Sequence, residues 1–421
     1  MDAPKKILFV AMQNSPHACR WINSIVDYGW DLHLFPVNHI PVLPMLRGVT
    51  IHPPVMQIAP KSFLRSLLTN STSRKEGNGL RYNPIYPVPI LPKLASALSH
   101  ISLRIGESQS PVPILHGPRT LASLIRKLKP DLIHSMEFQH CGYNVLEAKK
   151  YYHGNFPSWL ATNWGSDIYH YRQFDDHRVQ ITELLRNIDY YSCECDRDVS
   201  LAQELGLTAK VMPVMPNTGG FDLDKVYPLR TMIPTSKRKL IMIKGYQHFA
   251  GRALTALDAL ESCSDLAKNF HVIIFSPSPE TIARAKEIMA YTDVKNITIL
   301  PEASHDQMLR MFARSRIYLG VSISDAISTS ALEAMAMGAF PIQTNTSCCE
   351  EWFDDSIGGY LIPPDNVDVI ADRLRSALSN DYLVDNAAEV NWHTIKKRLN
   401  QNDFSNRVWS FYDEIFQDID N

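Results

Sequence analysis

RIYLGVSISDAISTSALEAMAMG, residues 316–338, runs an apolar stretch through a hydroxyl-rich turn into a series of Ala, Leu and Met that Gly338 can end. RIYLGV (316–321) reads as a buried strand, and the residues after Ser328 read as a helix. A buried strand feeding directly into a helix is the repeating unit of a parallel α/β sheet. Upstream the same alternation recurs: KLIMI (239–243), a helix near 251–262, HVIIF (271–275), a helix over 279–290, NITIL (296–300) and a helix over 304–314. Downstream, residues 348–374 add a Gly-Gly turn, a short strand and another helix. The pattern predicts a doubly wound, Rossmann-like domain over 240–395.

The first half repeats the theme less cleanly. KILFVAM, from residue 6, reads as a strand, SPHACRWINSIVDYG as a helix ended by Gly29, and WDLHLF as the next strand. KPDLIH (129–134), SWLAT (158–162), DYYS (189–192) and AKVMPV (209–214) follow as strands between helices over 172–187 and 195–205. A second Rossmann-like domain is expected over 1–226, joined through the Pro-rich stretch 227–239, with residues 396–421 forming a helix that packs back on the first domain. Two doubly wound domains facing across a cleft would join the carboxyl ends of two sheets, where such sheets bind ligands.

At 421 residues the chain is long enough for two cores, and 45% hydrophobic content with 20% charged residues describes an ordinary globular protein. A net charge of −2 gives no general footprint for nucleic acid. The seven cysteines include Cys193 with Cys195 and adjacent Cys348 and Cys349, none in CxxC spacing, which suits reduced thiols in the cytoplasm. The apolar run after Lys5 and Lys6 is too short for a signal peptide, and no window has the length of a membrane span. Positive charge collects between Lys61 and Lys129, with eleven Lys or Arg against Glu76 and Glu107. Within an insertion at about 53–118, apolar residues at helical spacing (Phe63, Leu64, Leu67, Leu68; Leu94, Leu98, Ile101, Ile105) suit either an anionic membrane surface at the inner face or packing on the insertion's own domain.

Chemistry concentrates after the strands of the second half. Ser330 and Glu333 have the S-x-x-E spacing of a capping box, which would make Glu333 structural. Asp325, Ser328, Thr329 and Ser330 also stand between a strand and a helix N-terminus, a place that suits phosphate. IMIKGYQHFAGRAL puts Lys244 at a strand end and Arg252 at the next helix start, a pair able to neutralise a diphosphate leaving group.

DAISTSALEAMAMGAFPIQTNTSCCEEWFDDSIGGYLIPPDN (325–366), with KPDLIHSMEF, TNWGSDIYHY and MPNTGGFDLD in the first half, resembles the retaining glycosyltransferases of GT-B fold, group one or family four. The family carries a Glu, seven residues and a second Glu; here Asp325 stands in the first place and Glu333 in the second. The resemblance implies transfer of a sugar from a nucleotide-diphosphate donor to a glycan, lipid-linked or other hydroxyl acceptor, with retention at the anomeric carbon and no metal or other cofactor. It assigns Glu333 to the ribose and Asp325 to the donor sugar. Ser328, Thr329, Ser330 and Gly245 go to the nucleotide, and Lys244 and Arg252 to the leaving group. His134 or His140 would border the donor sugar, while Asp167, with His17, would lie on the acceptor side. The expected setting is the synthesis of a surface polysaccharide or glycolipid. Two departures keep alternatives open: Asp325 is a methylene shorter than Glu, and Asn14–His17 replaces a Gly-Gly loop. A nucleotide-sugar epimerase or hydrolase, or a non-catalytic nucleotide- or glycan-binding protein, would share the fold.

Overall fold

The computed structural model describes residues 3–38, 40–52, 74–75, 78–83 and 117–421. Most of the insertion expected at 53–118, and with it most of the basic 61–129 stretch, lies outside the described residues; residues 74–75, 78–83 and 117–118 of it are described. The chain divides into two compact units, residues 1–219 with 405–421, and residues 220–404.

In the first unit the strands are β1 (Lys6–Ala11), β2 (Asp31–Pro36), β3 (Thr50–Ile51), β4 (Arg74–Lys75), β5 (Arg81–Tyr82), β6 (Leu132–Met136), β7 (Ser158–Thr162), β8 (Tyr190–Ser192) and β9 (Lys210–Val211). They form one sheet in the order β4-β5-β3-β2-β1-β6-β7-β8-β9, with every neighbour parallel except β4 and β5. Strand order turns around between β1 and β6, because the chain builds outward from β1 in one direction and then in the other. Leu8, Val10, Ile133, Trp159 and Tyr191 belong to the core that holds helices Pro118–Leu128, Tyr143–Lys150 and Asp175–Leu185 against this sheet. The long helix read over 15–29 is shorter, Pro16–Asn23, and a 3-10 turn then leads to Gly29 at a φ of +83°.

The second unit contains β10 (Leu240–Lys244), β11 (His271–Phe275), β12 (Ile297–Leu300), β13 (Ser315–Gly320), β14 (Phe340–Thr344) and β15 (Tyr360–Ile362), all parallel, in the order β12-β11-β10-β13-β14-β15. Here the order turns around between β10 and β13. That point lies outside the carboxyl ends of Lys244 and Gly320, the place where open α/β sheets bind ligands. All six residues of β13 are buried, as a central parallel strand requires.

The boundary between units falls between Gly219 and Gly220, which have φ values of +86° and +72°, and not in the 227–239 stretch. That stretch is docked on the second unit, so reading it as a linker is corrected. Thr235 Oγ1 donates to Gly338 O at 2.7 Å and Arg238 donates to Met337 O at 3.1 Å. Arg230 donates to Ala336 O. Three side chains thereby satisfy carbonyls at the end of helix Thr329–Met337, and two guanidiniums complement the negative end of its dipole. Its other end faces the turn-around point of the sheet. The final helix, Gln401–Asp420, gives its residues from Ser405 onward to the first unit.

Candidate active site

Lys244 closes β10 and Asp325 lies in the turn after β13, so the two meet where the strand order turns around. Lys244 Nζ stands 3.9 Å from Asp325 Oδ2 and donates to Ser328 Oγ at 3.4 Å. By position Ser328 is the N-cap of helix Thr329–Met337, yet its hydroxyl makes no bond to the helix's first amides. It pairs instead with Lys244 and, at 3.2 Å, with the Tyr318 hydroxyl, which donates to Gln343 Oε1 at 3.0 Å. Half-buried Thr329 and Ser330 form the first turn. One cation, one carboxylate, a hydroxyl and a helix N-terminus thus share one corner, a set that suits a phosphate ester carrying a hydroxylated group.

The capping box at Ser330 and Glu333 is not formed, because the helix begins two residues before Ser330 would require. Glu333 is 6% exposed, and its Oε1 lies 2.9 Å from His305 Nε2. A reciprocal box does occur at the start of helix His305–Arg314, between Ser304 and Gln307. His305 escaped the sequence reading, although S-x-x-Q before that helix marks the helix start that brings His305 to Glu333.

Arg252 is placed on the same corner but is engaged locally. Its NH1 donates to the carbonyls of His248 at 2.9 Å, Gly251 at 2.8 Å and Phe249 at 3.4 Å, which closes the loop between β10 and the next helix. It first acts as a clamp of that loop. Gly245 has its N–H on Phe275 O at 2.8 Å, and its carbonyl accepts from Ser278 N and Thr281 Oγ1. A Cβ there would stand 2.7 Å from Pro277 Cα, so close packing beside β11 accounts for the glycine. Both of its backbone groups are thus committed to the protein, so neither hydrogen-bonds a nucleotide in this arrangement.

His134, assigned above to the donor sugar, is corrected by its position. It is fully buried in the first unit, with Nδ1 2.7 Å from the Tyr412 hydroxyl and Nε2 2.6 Å from Thr162 Oγ1. Trp21 Nε1 can only donate, and it donates to the same Tyr412 oxygen at 2.9 Å. The Tyr412 proton therefore goes to His134 Nδ1, and the imidazole carries its hydrogen on Nε2, toward Thr162. Burial pushes His134 down to about 3. An imidazole with both nitrogens spent inside a core has none left for a sugar.

Asp167 is 4% exposed and accepts the amides of Trp164 and Phe138, each at 2.8 Å, so it ties the turn after β7 to the one after β6. Burial, with the Glu137 charge adding to it, pushes Asp167 well above the usual carboxylate range. Glu137 follows β6 at a φ of +88° and gathers the N–H groups of His140 and Cys141 at 2.7 and 3.0 Å, with His140 Nδ1 at 2.9 Å. The hydrogen bond to Glu137 raises the pKa of His140, whose side chain is 70% exposed. Glu137 was missed; its sign is a strained backbone, which composition does not carry. His17 lies half-buried on helix Pro16–Asn23, its ring edge-on to Trp164 at 6.0 Å.

The family described as glycosyl transferases group 1 matches residues 234–392, and glycosyl transferase 4-like matches residues 91–193. By that match the second unit is a group 1 glycosyltransferase domain. The match to the group 1 family spans all of β10–β15, and hence Lys244, Asp325, Ser328 and Glu333 of this glycosyltransferase. No curated protein matches the sequence. Among solved structures, sucrose-phosphate synthase from Thermosynechococcus elongatus is similar at a TM-score of 0.67 and 11% identity, over 98% of this chain and 99% of that one. A glycosyltransferase from Rickettsia africae is similar at 0.62 and 16%, over 99% of each chain. Anabaena HepE, solved in complex with UDP and glucose, is similar at 0.61 and 12%, over 97% of this chain and 100% of that one. At such identities these are likenesses of fold, and the fold is GT-B. Among the described residues no helix is long and apolar enough to cross a membrane.

Proposed function

We propose that this glycosyltransferase takes a sugar from a nucleoside-diphosphate donor held by the second unit and passes it to a hydroxyl acceptor with retention of anomeric configuration. The observation that carries the reading is the meeting of Lys244, Asp325 and Ser328 at the N-terminus of helix Thr329–Met337. Lys244 and the helix amides would hold the diphosphate, Asp325 the sugar hydroxyls, and Glu333, steadied by His305, the ribose. In the transfer the bond from the anomeric carbon to the phosphate oxygen breaks, and its electron pair leaves on the diphosphate. The acceptor oxygen bonds to the same face, and its proton passes to a phosphate oxygen. Lys244 and the helix end neutralise the charge that develops, so the reading needs no divalent ion. Fold relatives described with UDP favour a uridine nucleotide, and a growing glycan or lipid-linked sugar is the acceptor class. The charge between Lys61 and Lys129 would suit an acceptor at the inner face of a membrane.

The test is release of nucleoside diphosphate from a panel of nucleotide sugars, with and without chelator, and NMR of the new glycosidic bond. An inverted anomer would remove the retaining mechanism; dependence on added metal would remove the charge assignment.

A further inference from the structure

The loop between β10 and helix Ala253–Ser262 carries more than Arg252. Its polar atoms turn inward. Arg252 NH1 takes three of its carbonyls, Gln247 N donates to Ser278 Oγ at 2.9 Å, and Gln247 pairs with Arg252 as a bridge. Gly251 pairs with Ser322, and a Cβ on it would stand 2.4 Å from Tyr246 O. His248 Nδ1 accepts the amides of Ala250 and Gly251 at 3.1 and 3.2 Å, which leaves the ring hydrogen on Nε2.

Its rings turn outward. Tyr246 is 40% exposed and Phe249 53% exposed, and they flank His248 with centroids 5.2 Å apart on each side. Lys244 Nζ lies 5.2 Å from the Tyr246 centroid and 3.9 Å from Asp325, so the rings adjoin the Asp325 end of the site. Burial and the nearby Lys244 and Arg252 charges lower the pKa of His248, which keeps the ring neutral and its outward N–H a donor. A rigid loop that uses up its hydrogen bonds internally and leaves aromatic faces in water beside a charged corner has the composition of a recognition surface.

We propose that Tyr246, His248 and Phe249 form the platform against which the transferred sugar packs, making them specificity-determining residues for the glycosyl part of the donor. This rests on the donor-site reading above. Once Lys244 and the helix end hold the diphosphate, the sugar is one bond away, and its C–H face and hydroxyls meet the rings and the His248 N–H. The nucleoside lies on the Glu333 side and does not touch the platform.

The test compares two ligands that differ only in the sugar. Calorimetric affinities for UDP-glucose and UDP, with GDP-mannose and GDP run beside them, are measured for the parent, Tyr246→Leu, Tyr246→Phe, Phe249→Leu and Phe249→Ala, with thermal melting as the check on folding. Tyr246→Leu and Phe249→Ala should each weaken the nucleotide sugar by ~10-fold while moving the nucleoside diphosphate little, and Tyr246→Phe should lose less than Tyr246→Leu. Equal weakening of both ligands, or of neither, overturns the platform while the donor site stands. A parent protein that binds none of the four ligands overturns the donor-site reading and the platform with it.

Discussion

Replacing Lys244 by Met keeps the unbranched side chain to its fourth atom and removes the charged amine. In the parent, Nζ and the Asp325 carboxylate stand 3.9 Å apart, with 20% and 31% of the two side chains exposed. Coulomb's law makes a unit pair at that distance worth about 4 kcal/mol at an effective dielectric of about 20, and about 1 kcal/mol in bulk water. Partial exposure puts the interaction between these limits, about 2–3 kcal/mol. The diphosphate leaving group would meet the same Nζ at similar range, so Lys244→Met should slow nucleoside diphosphate release by about 100-fold. The substitution also takes away the cation that stands between the Asp325 carboxylate and an incoming anion. Adding Asp325→Asn to Lys244→Met should therefore recover nucleoside diphosphate affinity relative to the single variant, although it does not restore turnover. Calorimetry and a coupled release assay read the two quantities separately. Turnover of Lys244→Met within about threefold of the parent, with unchanged affinity, would show that the cation does not face the leaving group.

Glu333→Ala should weaken nucleoside diphosphate binding by ~10-fold or more with little change in melting temperature, since Glu333 caps nothing; a fall in melting temperature alone would return it to a structural role. Arg238→Met should lower thermal stability, because it strips a donor from Met337 O at the end of the site helix and from Ser315 O at the start of β13, and a melt compared with Arg238→Lys would show how far the guanidinium fork matters. The two buried imidazoles His52 and His134 should cost the first unit stability as pH falls from about 7 to 4, against an opposite contribution from Asp167 and His140, whose raised values favour the folded state as protons bind. Burial, with the His33 ring adding to it, pushes His52 down to about 4, and burial alone takes His134 to about 3, whereas an unfolded imidazole titrates near 6.5, so at these two rings the unfolded chain binds more protons across that range. His52 alone accounts for ~3 kcal/mol by pH 4, read as the difference in urea midpoints against pH between the parent and His52→Gln, and identical pH profiles for the two would remove the buried-histidine account.

The strand and helix alternation of both halves was open to reading because it depends on local periodicity: KLIMI, HVIIF, NITIL and RIYLGV became four parallel neighbours within a residue or two of their expected bounds. The order of Lys244, Asp325, Ser328 and Glu333 along the chain was equally legible, since strand ends and helix starts place such residues at one edge of a parallel sheet. Partners distant in sequence decided the rest. His134 is a core residue because Tyr412, 278 positions later, meets its ring. Residues 227–239 are part of the second unit because Thr235 and Arg238 reach carbonyls about a hundred positions away. Ser328, not Ser330, stands at the cap, where its hydroxyl goes to Lys244 on another strand and leaves the helix end open to a phosphate. Sequence by itself determined which residue types arrive at the sheet edge. The tertiary structure decided which of them keep a polar atom for a ligand, because burial and hydrogen-bond pairing depend on segments that only folding brings together.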